Sequence, residues 1–242
     1  MKISESELDT ERFGVRSGKV QLNGEDDLGE IDSWCALHRI QFLIARCLSN
    51  DVNLVQKMEK NGFFLTDTLI YYRNKKITYK EHILADGYSW RVANESDGDE
   101  VEKLASDTFS GYAGHYHADS SLDKIDSDAV YSSWAGNSCR DRNIADKVLL
   151  IIYQNKIVAF ATLKKIEEYM VEGVLFGVCP KHQGKSLYNS LMLLAQNWAC
   201  QNNFTQMTVS TQLTNLAVQK IWCRQDFEPF KSFYTLHKWF AK

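Results

Sequence analysis

The chain has 242 residues but only two prolines, Pro180 and Pro229, and no segment long and apolar enough for a membrane helix. So few prolines exclude a proline-rich linker, and a membrane helix needs about 20 consecutive apolar residues. The chain also lacks a large excess of charge of one sign, since it has 28 basic and 31 acidic residues and a net charge of −3. This balance excludes the broad basic surface that nucleic acids or anionic membranes attract. No low-complexity tract and no internal repeat is evident.

Cysteine pairs at short spacing are missing as well. The six cysteines show no C-x-x-C pattern, which argues against a disulfide framework; we interpret most of them as small buried apolar residues in a reducing compartment. They are Cys35, Cys47, Cys139, Cys179, Cys200 and Cys223. The N-terminal residues are acidic and lack the apolar core of a signal peptide, so we expect a cytoplasmic protein.

The length is that of one large or two small domains. A charged, weakly patterned stretch near residues 75–88 is the predicted boundary, giving an N-terminal half-domain 1–87 and a second domain 88–242. Within residues 16–73 the pattern predicts strand, helix, strand, helix, strand (βαβαβ). The helix at 51–62 has N-cap candidates before it and Gly62 as its stop.

The second domain begins with a strand near Tyr88 and a helix with acidic residues in its first turn. Residues 110–125 form a long loop, which indicates a functional role, and a helix capped by Asp126 or Ser127 follows. Two strands joined at residues 154–156, a third strand, a helix, a strand, a helix and a final extended segment or hairpin complete the domain. The fold class is therefore α/β (α+β), with strands and helices in both predicted domains.

The strand, loop and helix over residues 171–188 carry the clearest chemistry. An apolar strand leads through Lys181, Gln183, Gly184, Lys185 and Ser186 directly into a helix. The first turn of a helix offers free N–H groups and the positive end of its dipole, and glycine allows a ligand to approach the backbone. These features favour a pyrophosphate cradle, although an ordinary turn between strand and helix has a similar composition.

At this point the chain resembles the GCN5-related N-acetyltransferase (GNAT) superfamily, whose phosphate loop follows Gln/Arg-x-x-Gly-x-Gly/Ala. Gly184 matches the pattern, Ser186 is a small substitute, and Lys181 replaces Gln or Arg. Asn215, Val218 and Phe227 resemble the family's later Asn-x-x-Ala-x-x-x-Tyr-x-x-x-Gly-Phe pattern. Over residues 88–242 the resemblance implies a GNAT fold, with a mixed central sheet flanked by helices, that binds acetyl-CoA as cosubstrate. The implied cofactor-binding residues are Leu175, Phe176, Val178, Lys181, His182, Gln183, Gly184, Lys185, Ser186, Leu187, Asn215 and Trp222.

Two residues depart from the family pattern, and the first of them affects proton transfer. Trp222 stands where many members have the tyrosine that protonates the leaving thiolate, and an indole N–H is not a usable acid. Asp226 stands where the family usually has glycine. The resemblance therefore carries CoA binding over better than it carries the general acid.

Four further segments resemble two-domain GNAT enzymes of the TDP-fucosamine type, which acetylate nucleotide-linked amino-deoxysugars. They are DTERFGVRSGKVQL (9–22), VQKMEKNGFFLTDTLIYY (55–72), GHYHADSSLD (114–123) and VYSSW (130–134). The implied acceptor is a small-molecule amine on a nucleotide-linked amino-deoxysugar. No nucleic acid or membrane is expected as a partner, and a homodimer is one possible assembly. The alternatives are another amine (a protein N-terminus, polyamine or antibiotic) and a non-catalytic CoA-binding domain.

Two residues are the candidates for general base. Strand alternation places Glu172 on one face with Val174 and Phe176, and histone-acetylating family members carry a glutamate at the matching point. His117 is the second candidate, because a histidine accepts protons near neutral pH. A solvated carboxylate and a structural loop histidine are the simpler alternatives.

The remaining acceptor-site candidates surround His117 in sequence. His115, Tyr116, Tyr131 and Trp134 are expected to bind the acceptor, although helical spacing makes core positions equally acceptable for Tyr131 and Trp134. The His-x-His-x-Asp pattern that ends at Asp119 lacks further ligands for a metal. Tyr188 is interpreted as a packing residue.

Overall fold

One mixed sheet of ten strands forms the centre of the molecule. The computed structural model describes residues 2–240. The strand order across the sheet is β1-β2-β3-β10-β4-β9-β8-β7-β6-β5. The strands are β1 Lys2–Glu5, β2 Ser17–Leu22, β3 Phe42–Leu48, β4 Phe64–Asn74, β5 Tyr88–Val92, β6 Lys147–Tyr153, β7 Lys156–Glu167, β8 Met170–Val178, β9 Gln206–Gln212 and β10 Glu228–Trp239.

Seven α-helices in the described part of the chain cover the two faces of this sheet. They are α1 Glu7–Phe13, α2 Leu28–Leu37, α3 Val52–Lys60, α4 Gly98–Phe109, α5 Lys124–Arg140, α6 Leu187–Gln201 and α7 Leu216–Arg224. The cores containing residues of α2, α3, α6 and α7 lie on one face. The cores containing α4, α5 and residues of the loop 110–123 lie on the opposite face. The architecture is therefore the helix-flanked mixed sheet that the sequence predicts.

The topology contains a structural repeat although the sequence has no evident internal repeat. β2-α2-β3-α3-β4 and β8-α6-β9-α7-β10 are the same succession of elements, here called unit 1 and unit 2. In each unit the first two strands are parallel neighbours. β10, the last strand of unit 2, lies between β3 and β4 of unit 1. In the same way β4, the last strand of unit 1, lies between β9 and β10 of unit 2. The two units therefore exchange their final strands.

Most predicted elements are confirmed, with four differences. β1 and α1 precede the first predicted strand. The N-cap of α5 is Asp123, whose side chain accepts from the N–H groups of Ile125 and Asp126. Helix α6 begins at Leu187, after the glycine. The final segment is one strand of 12 residues, β10, and not a hairpin.

Two further points concern organisation. No helix within residues 2–240 is long and apolar enough to cross a membrane. The sheet continues from β4 to β9 across the proposed domain boundary at residue 87, and that boundary stays a prediction.

Candidate active site

A gap opens between the parallel strands β8 and β9. Their ladder joins Met170–Gly173 to Gln206–Val209, whereas β8 continues to Val178 and β9 to Gln212. Beyond Gly173, one side of β8 therefore has no strand partner in the described residues. Backbone N–H groups on that side lack a strand partner and can bind a ligand.

A β-bulge at Val174 aims the side chains around this gap. Thr162 pairs with Leu175 and Leu163 with Gly173, which leaves Val174 without an opposite residue. The bulge reverses the alternation, so the expected shared face of Glu172 and Phe176 is wrong: Phe176 packs with the core of α6. Bulges commonly reorient side chains next to active sites.

The backbone donors of β8 differ in availability. The Leu175 N–H donates to Thr162 Oγ1 at 3.0 Å, so this donor already has a partner inside the sheet. The Cys179 N–H donates to the Val158 carbonyl at 2.8 Å. Alternation then directs the N–H groups of Phe176 and Val178 into the gap.

The loop that follows β8 has a left-handed backbone at two positions. Gly184 has φ +75° and Ser186 has φ +60°. A left-handed conformation costs a non-glycine residue about 1–2 kcal/mol, so its presence at Ser186 marks a loop held in a special shape. A Cβ built on Gly184 meets no heavy atom within 4 Å, and the Ser186 side chain makes no capping bond. The start of α6 is therefore left open to a ligand.

Charged and polar side chains border this open loop. Lys181 and Lys185 are exposed, and Gln183 Nε2 donates to the Val178 carbonyl at 3.2 Å. The His182 ring lies against Tyr153 and bonds Tyr88 Oη through Nδ1 at 2.9 Å. Burial lowers the pKa of His182, and Lys185 adds to the effect. Leu187 turns into the core.

Helix α7 borders the other side of the gap. Asn215 precedes it and donates through Nδ2 to Thr211 Oγ1 at 3.1 Å. Trp222 is buried against Tyr72, with ring centroids 5.4 Å apart. Its Nε1 has no partner at hydrogen-bond geometry among residues 2–240, although burial raises the pKa of the neighbouring Tyr188 and an interaction with Trp222 acts in the opposite direction.

The carboxylate of Glu172 lies on β8 just before the gap, on the face covered by α4 and α5. Burial raises its pKa, while the charges of Lys231 and Arg46 act in the opposite direction. A carboxyl with a raised pKa is a better proton acceptor than an exposed one.

The two loop histidines have different roles. His117 accepts the Gly114 N–H at Nδ1 and contacts Asp128 Oδ1 at 2.9 Å through Nε2, which ties the loop to α5. His115 lies buried in a chain of hydrogen bonds: its Nδ1 is 2.9 Å from His237 Nε2, and His237 Nδ1 is 2.7 Å from Asp119 Oδ2. Burial lowers the pKa of His115 well below its usual value, with a further contribution from His237.

The three aromatic candidates also have different surroundings. Tyr116 Oη donates to Asp9 Oδ1 at 2.8 Å, so this hydroxyl is engaged with α1. Tyr131 packs against Phe109 and Tyr112, and burial raises its pKa. Trp134 is 38% exposed on α5. The structure therefore places Tyr131, His115 and His237 on the sheet face that α4 and α5 cover, and it leaves Trp134 at the surface.

Three polar residues that sequence reasoning missed lie in register on the same face. Thr235 of β10 is opposite Arg46 of β3 and opposite Asp67 of β4. Arg46 and Asp67 are each the only charged residue of a long apolar run, IQFLIARC and FFLTDTLIYY. A single charge within a buried strand was the signal that could have identified them.

The other reactive groups form no second site in residues 2–240. All six cysteines are free, and only Cys35, Cys47 and Cys139 are fully buried. No group of three or more His, Cys, Asp or Glu side chains in this part of the chain has an arrangement that could hold a metal ion.

Three solved structures share the fold at low sequence identity. A GCN5-related N-acetyltransferase from Sphaerobacter thermophilus has a TM-score of 0.63 at 10% identity, covering 92% of this chain and 73% of its own. A tandem GNAT protein from the clavulanic acid biosynthesis pathway has a TM-score of 0.65 at 10% identity, covering 95% and 77%. A glucosamine N-acetyltransferase region of a fungal multi-domain GH3 β-N-acetylglucosaminidase has 0.63 at 10% identity, covering 98% of this chain and 30% of that chain.

Sequence comparison gives the family. No curated protein sequence matches the chain. Residues 100–227 match the acetyltransferase (GNAT) family, whose members use acetyl-CoA, and this segment holds the gap, the open loop and both flanking helices. The chain therefore belongs to the acetyltransferase (GNAT) family and is an N-acetyltransferase.

Proposed function

We propose that this enzyme transfers the acetyl group of acetyl-CoA to a primary amine on a nucleotide-linked amino-deoxysugar. The observation that carries the proposal is the gap between β8 and β9. It opens at Gly173 next to the half-buried Glu172 and ends at the open loop before α6. The cysteine usage favours a cytoplasmic reaction.

The residues at the end of the gap fit the pyrophosphate of CoA. The open space above Gly184 accommodates a phosphate against the backbone, and the first N–H groups of α6 donate to it. Lys181 and Lys185 supply charge at the rim. The N–H groups of Phe176 and Val178 bind the pantetheine amide and the acetyl carbonyl along β8.

The reaction needs three events in this space. The amine nitrogen bonds to the thioester carbon, the C–S bond breaks, and CoA leaves as a thiolate that takes up a proton. Glu172 accepts the proton that the amine loses, since burial prepares this carboxylate for proton uptake. A backbone N–H of β8 polarises the carbonyl as an oxyanion hole does.

The acceptor class is supported by where four sequence segments meet. Asp9, from the segment 9–22, accepts from Tyr116 of the segment 114–123. Arg12 Nη2 donates to Ser133 Oγ of the segment 130–134 at 2.5 Å. Asp67, from the segment 55–72, lies on the same sheet face. These are the segments that resemble the amino-deoxysugar enzymes, and one of the similar structures carries the name of a glucosamine N-acetyltransferase region.

A turnover assay with an amine panel tests the proposal. Thiol release from acetyl-CoA, with mass spectrometry of the acetylated product, would be measured for a nucleotide-linked amino-deoxysugar, the free amino sugar, a peptide N-terminus, a polyamine and an aminoglycoside. We expect the nucleotide-linked sugar to have the highest kcat/KM. A higher kcat/KM for another amine in the panel would refute the proposed nucleotide-linked acceptor and identify the class of amine that replaces it.

A further inference from the structure

Three buried polar atoms without partners lie side by side across the centre of the sheet. They are Arg46 Nε on β3, Thr235 Oγ1 on β10 and Asp67 Oδ2 on β4, none of which has a hydrogen-bond partner among residues 2–240. Their residues are direct neighbours in the strand register. We call this set the polar row. Buried polar atoms are normally paired because leaving them unpaired is destabilising, so three adjacent exceptions require an explanation.

The charges within the polar row are opposite, yet they form no ion pair within the described part of the chain. Asp67 Oδ1 accepts the Thr68 N–H at 2.7 Å and leaves Oδ2 free. Burial raises the pKa of Asp67, while the bond from the Thr68 N–H, the charge of Arg46 and a weaker interaction with the Gln212 side chain act in the opposite direction. Since β10 separates their strands, the two backbones lie about 10 Å apart. One donor and one acceptor are thus held apart on the same face.

Other groups connect the polar row to the reaction. Glu172 lies on the same face, because it pairs with Thr208, which pairs with Arg73 on the Asp67 side of β4. The charge of Arg46 acts on Glu172, so the proposed base and the polar row share one electrostatic environment.

The loop 110–123 lies over this space. His237, two residues beyond Thr235, bonds His115 and Asp119 of the loop. A Cβ on Gly114 would lie 2.6 Å from Tyr131 Oη and 3.2 Å from Gln212 Nε2, so the loop backbone packs closely against the sheet.

We infer that the polar row is the acceptor-recognition site and that it selects an amine carrying both hydroxyl groups and an anionic oxygen. This inference rests on the proposed function. Asp67 accepts a hydroxyl proton, Arg46 donates to a phosphate or carboxylate oxygen, and Thr235 bonds whichever group lies between them. Arg46 and Asp67 are partly exposed, whereas Thr235 is fully covered in this structure, so an acceptor spanning the row reaches Thr235 only by displacing the groups that cover it.

Matched acceptors and variants test the inference. The acceptors are an amino-deoxysugar, its 1-phosphate, and an amino sugar with a ring carboxylate. Arg46→Gln is expected to lower kcat/KM, through KM, about 10–100-fold more for whichever anionic acceptor is preferred than for the uncharged sugar, for which only the effect of the Arg46 charge on Glu172 remains. The better anionic acceptor identifies the anion as phosphate or carboxylate. Arg16→Gln, which removes a surface guanidinium paired with Glu5, is the charge-matched control.

The proposed bonds of Asp67 and Thr235 to the acceptor have a separate test. Asp67→Asn and Thr235→Val should lower kcat/KM for charged and uncharged sugars alike, with Thr235→Val losing about 2–10-fold. Thr235→Val removes an unpaired buried hydroxyl, so its melting temperature should stay level or rise; a purely structural hydroxyl would give the opposite result. KM for acetyl-CoA should stay constant in all three variants. If Arg46→Gln does not fold, Arg46→Lys keeps the charge and should retain the preference for the anion.

Two outcomes separate this inference from the proposed function. Equal effects of Arg46→Gln on charged and uncharged acceptors, or no effect, would overturn the polar row as a recognition site while acetylation itself stands. If the wild-type enzyme acetylates no sugar, the proposed function fails. Calorimetry with the sugar phosphates then still tests whether the polar row binds the acceptor. Weaker binding to Arg46→Gln than to the wild type supports this role, and equal binding refutes it.

Discussion

Replacing Gly184 by valine tests the phosphate loop against an internal control. Gly184 has φ +75° and Gly62, at the end of α3, has φ +84°; a Cβ at either position meets no heavy atom within 4 Å. A left-handed backbone costs an L-residue about 1–2 kcal/mol, and somewhat more when the residue is β-branched. We therefore expect Gly184→Val and Gly62→Val to lose similar free energies of unfolding.

The two variants should differ in CoA binding. A side chain on Gly184 enters the space where the pyrophosphate is expected, and it would separate that anion from the backbone donors of the loop. Losing two charge-assisted hydrogen bonds at about 1.5 kcal/mol each amounts to about 3 kcal/mol, or roughly a 100-fold increase in the Kd for CoA. Gly62→Val should retain the wild-type Kd.

Calorimetry gives the Kd, and thermal melts with and without CoA provide a second measurement. At 100 times Kd, ligand binding adds about 2.7 kcal/mol to the free energy of unfolding, so wild type and Gly62→Val should show a clear CoA-dependent shift and Gly184→Val should not. Gly184→Asn separates bulk from strain, because asparagine tolerates the left-handed region while its side chain still fills the space. A folded Gly184→Val protein with wild-type CoA affinity would refute the assignment.

Three other predictions address proton transfer and the buried histidine. Glu172→Gln should lower kcat about 10²–10⁴-fold with little change in KM for acetyl-CoA, and it should remove the acidic limb of the kcat/KM profile, whereas His117→Asn should act mainly on acceptor terms. Wild-type profiles in both variants would exclude both residues as the base. Trp222→Phe should keep most of the turnover, since the indole N–H has no partner at hydrogen-bond geometry in the described structure; a loss of several orders of magnitude with an intact fold would give this N–H a catalytic role. Because burial lowers the pKa of His115, the unfolded chain takes up a proton below about pH 6.5 that the folded chain does not. Chemical unfolding between pH 7 and 5 should thus show falling stability, with a smaller slope in His115→Gln; an equal slope would contradict the reasoning.

The strand, loop and helix around Gly184 could be predicted because their formation depends mainly on local sequence. The apolar run before Gly184, the polar loop and the amphipathic helix α6 each leave a recognisable periodicity, and the structure has all three in order. The start of α5 was misplaced by a few residues because several polar side chains compete for one N-cap, and the geometry selects Asp123.

Long-range pairing could not be predicted in the same way. The insertion of β10 between β3 and β4 joins residues about 190 positions apart, and neither strand carries a local sign of its partner. The bulge at Val174 depends on the fit of β7 against β8, so simple alternation placed Phe176 on the wrong face. The polar row follows from this pairing, since Arg46, Thr235 and Asp67 become neighbours only after the strands are exchanged.

The two exchanged units differ in a way that supports the proposal of CoA binding by one unit and acceptor recognition by the other. The loop that corresponds to 179–186 in unit 1 is the acidic stretch 23–27, and there the Asp27 side chain accepts the Gly29 N–H at 2.8 Å. A carboxylate thus caps the start of α2 and opposes an incoming phosphate, while the start of α6 has no side-chain cap and lysines at its rim. The face of unit 1 is nevertheless joined to unit 2 through β10 and β4, and this junction holds Arg46 and Asp67. Strand exchange therefore places the recognition groups of unit 1 on the same face as Glu172 of unit 2, which neither unit could achieve alone.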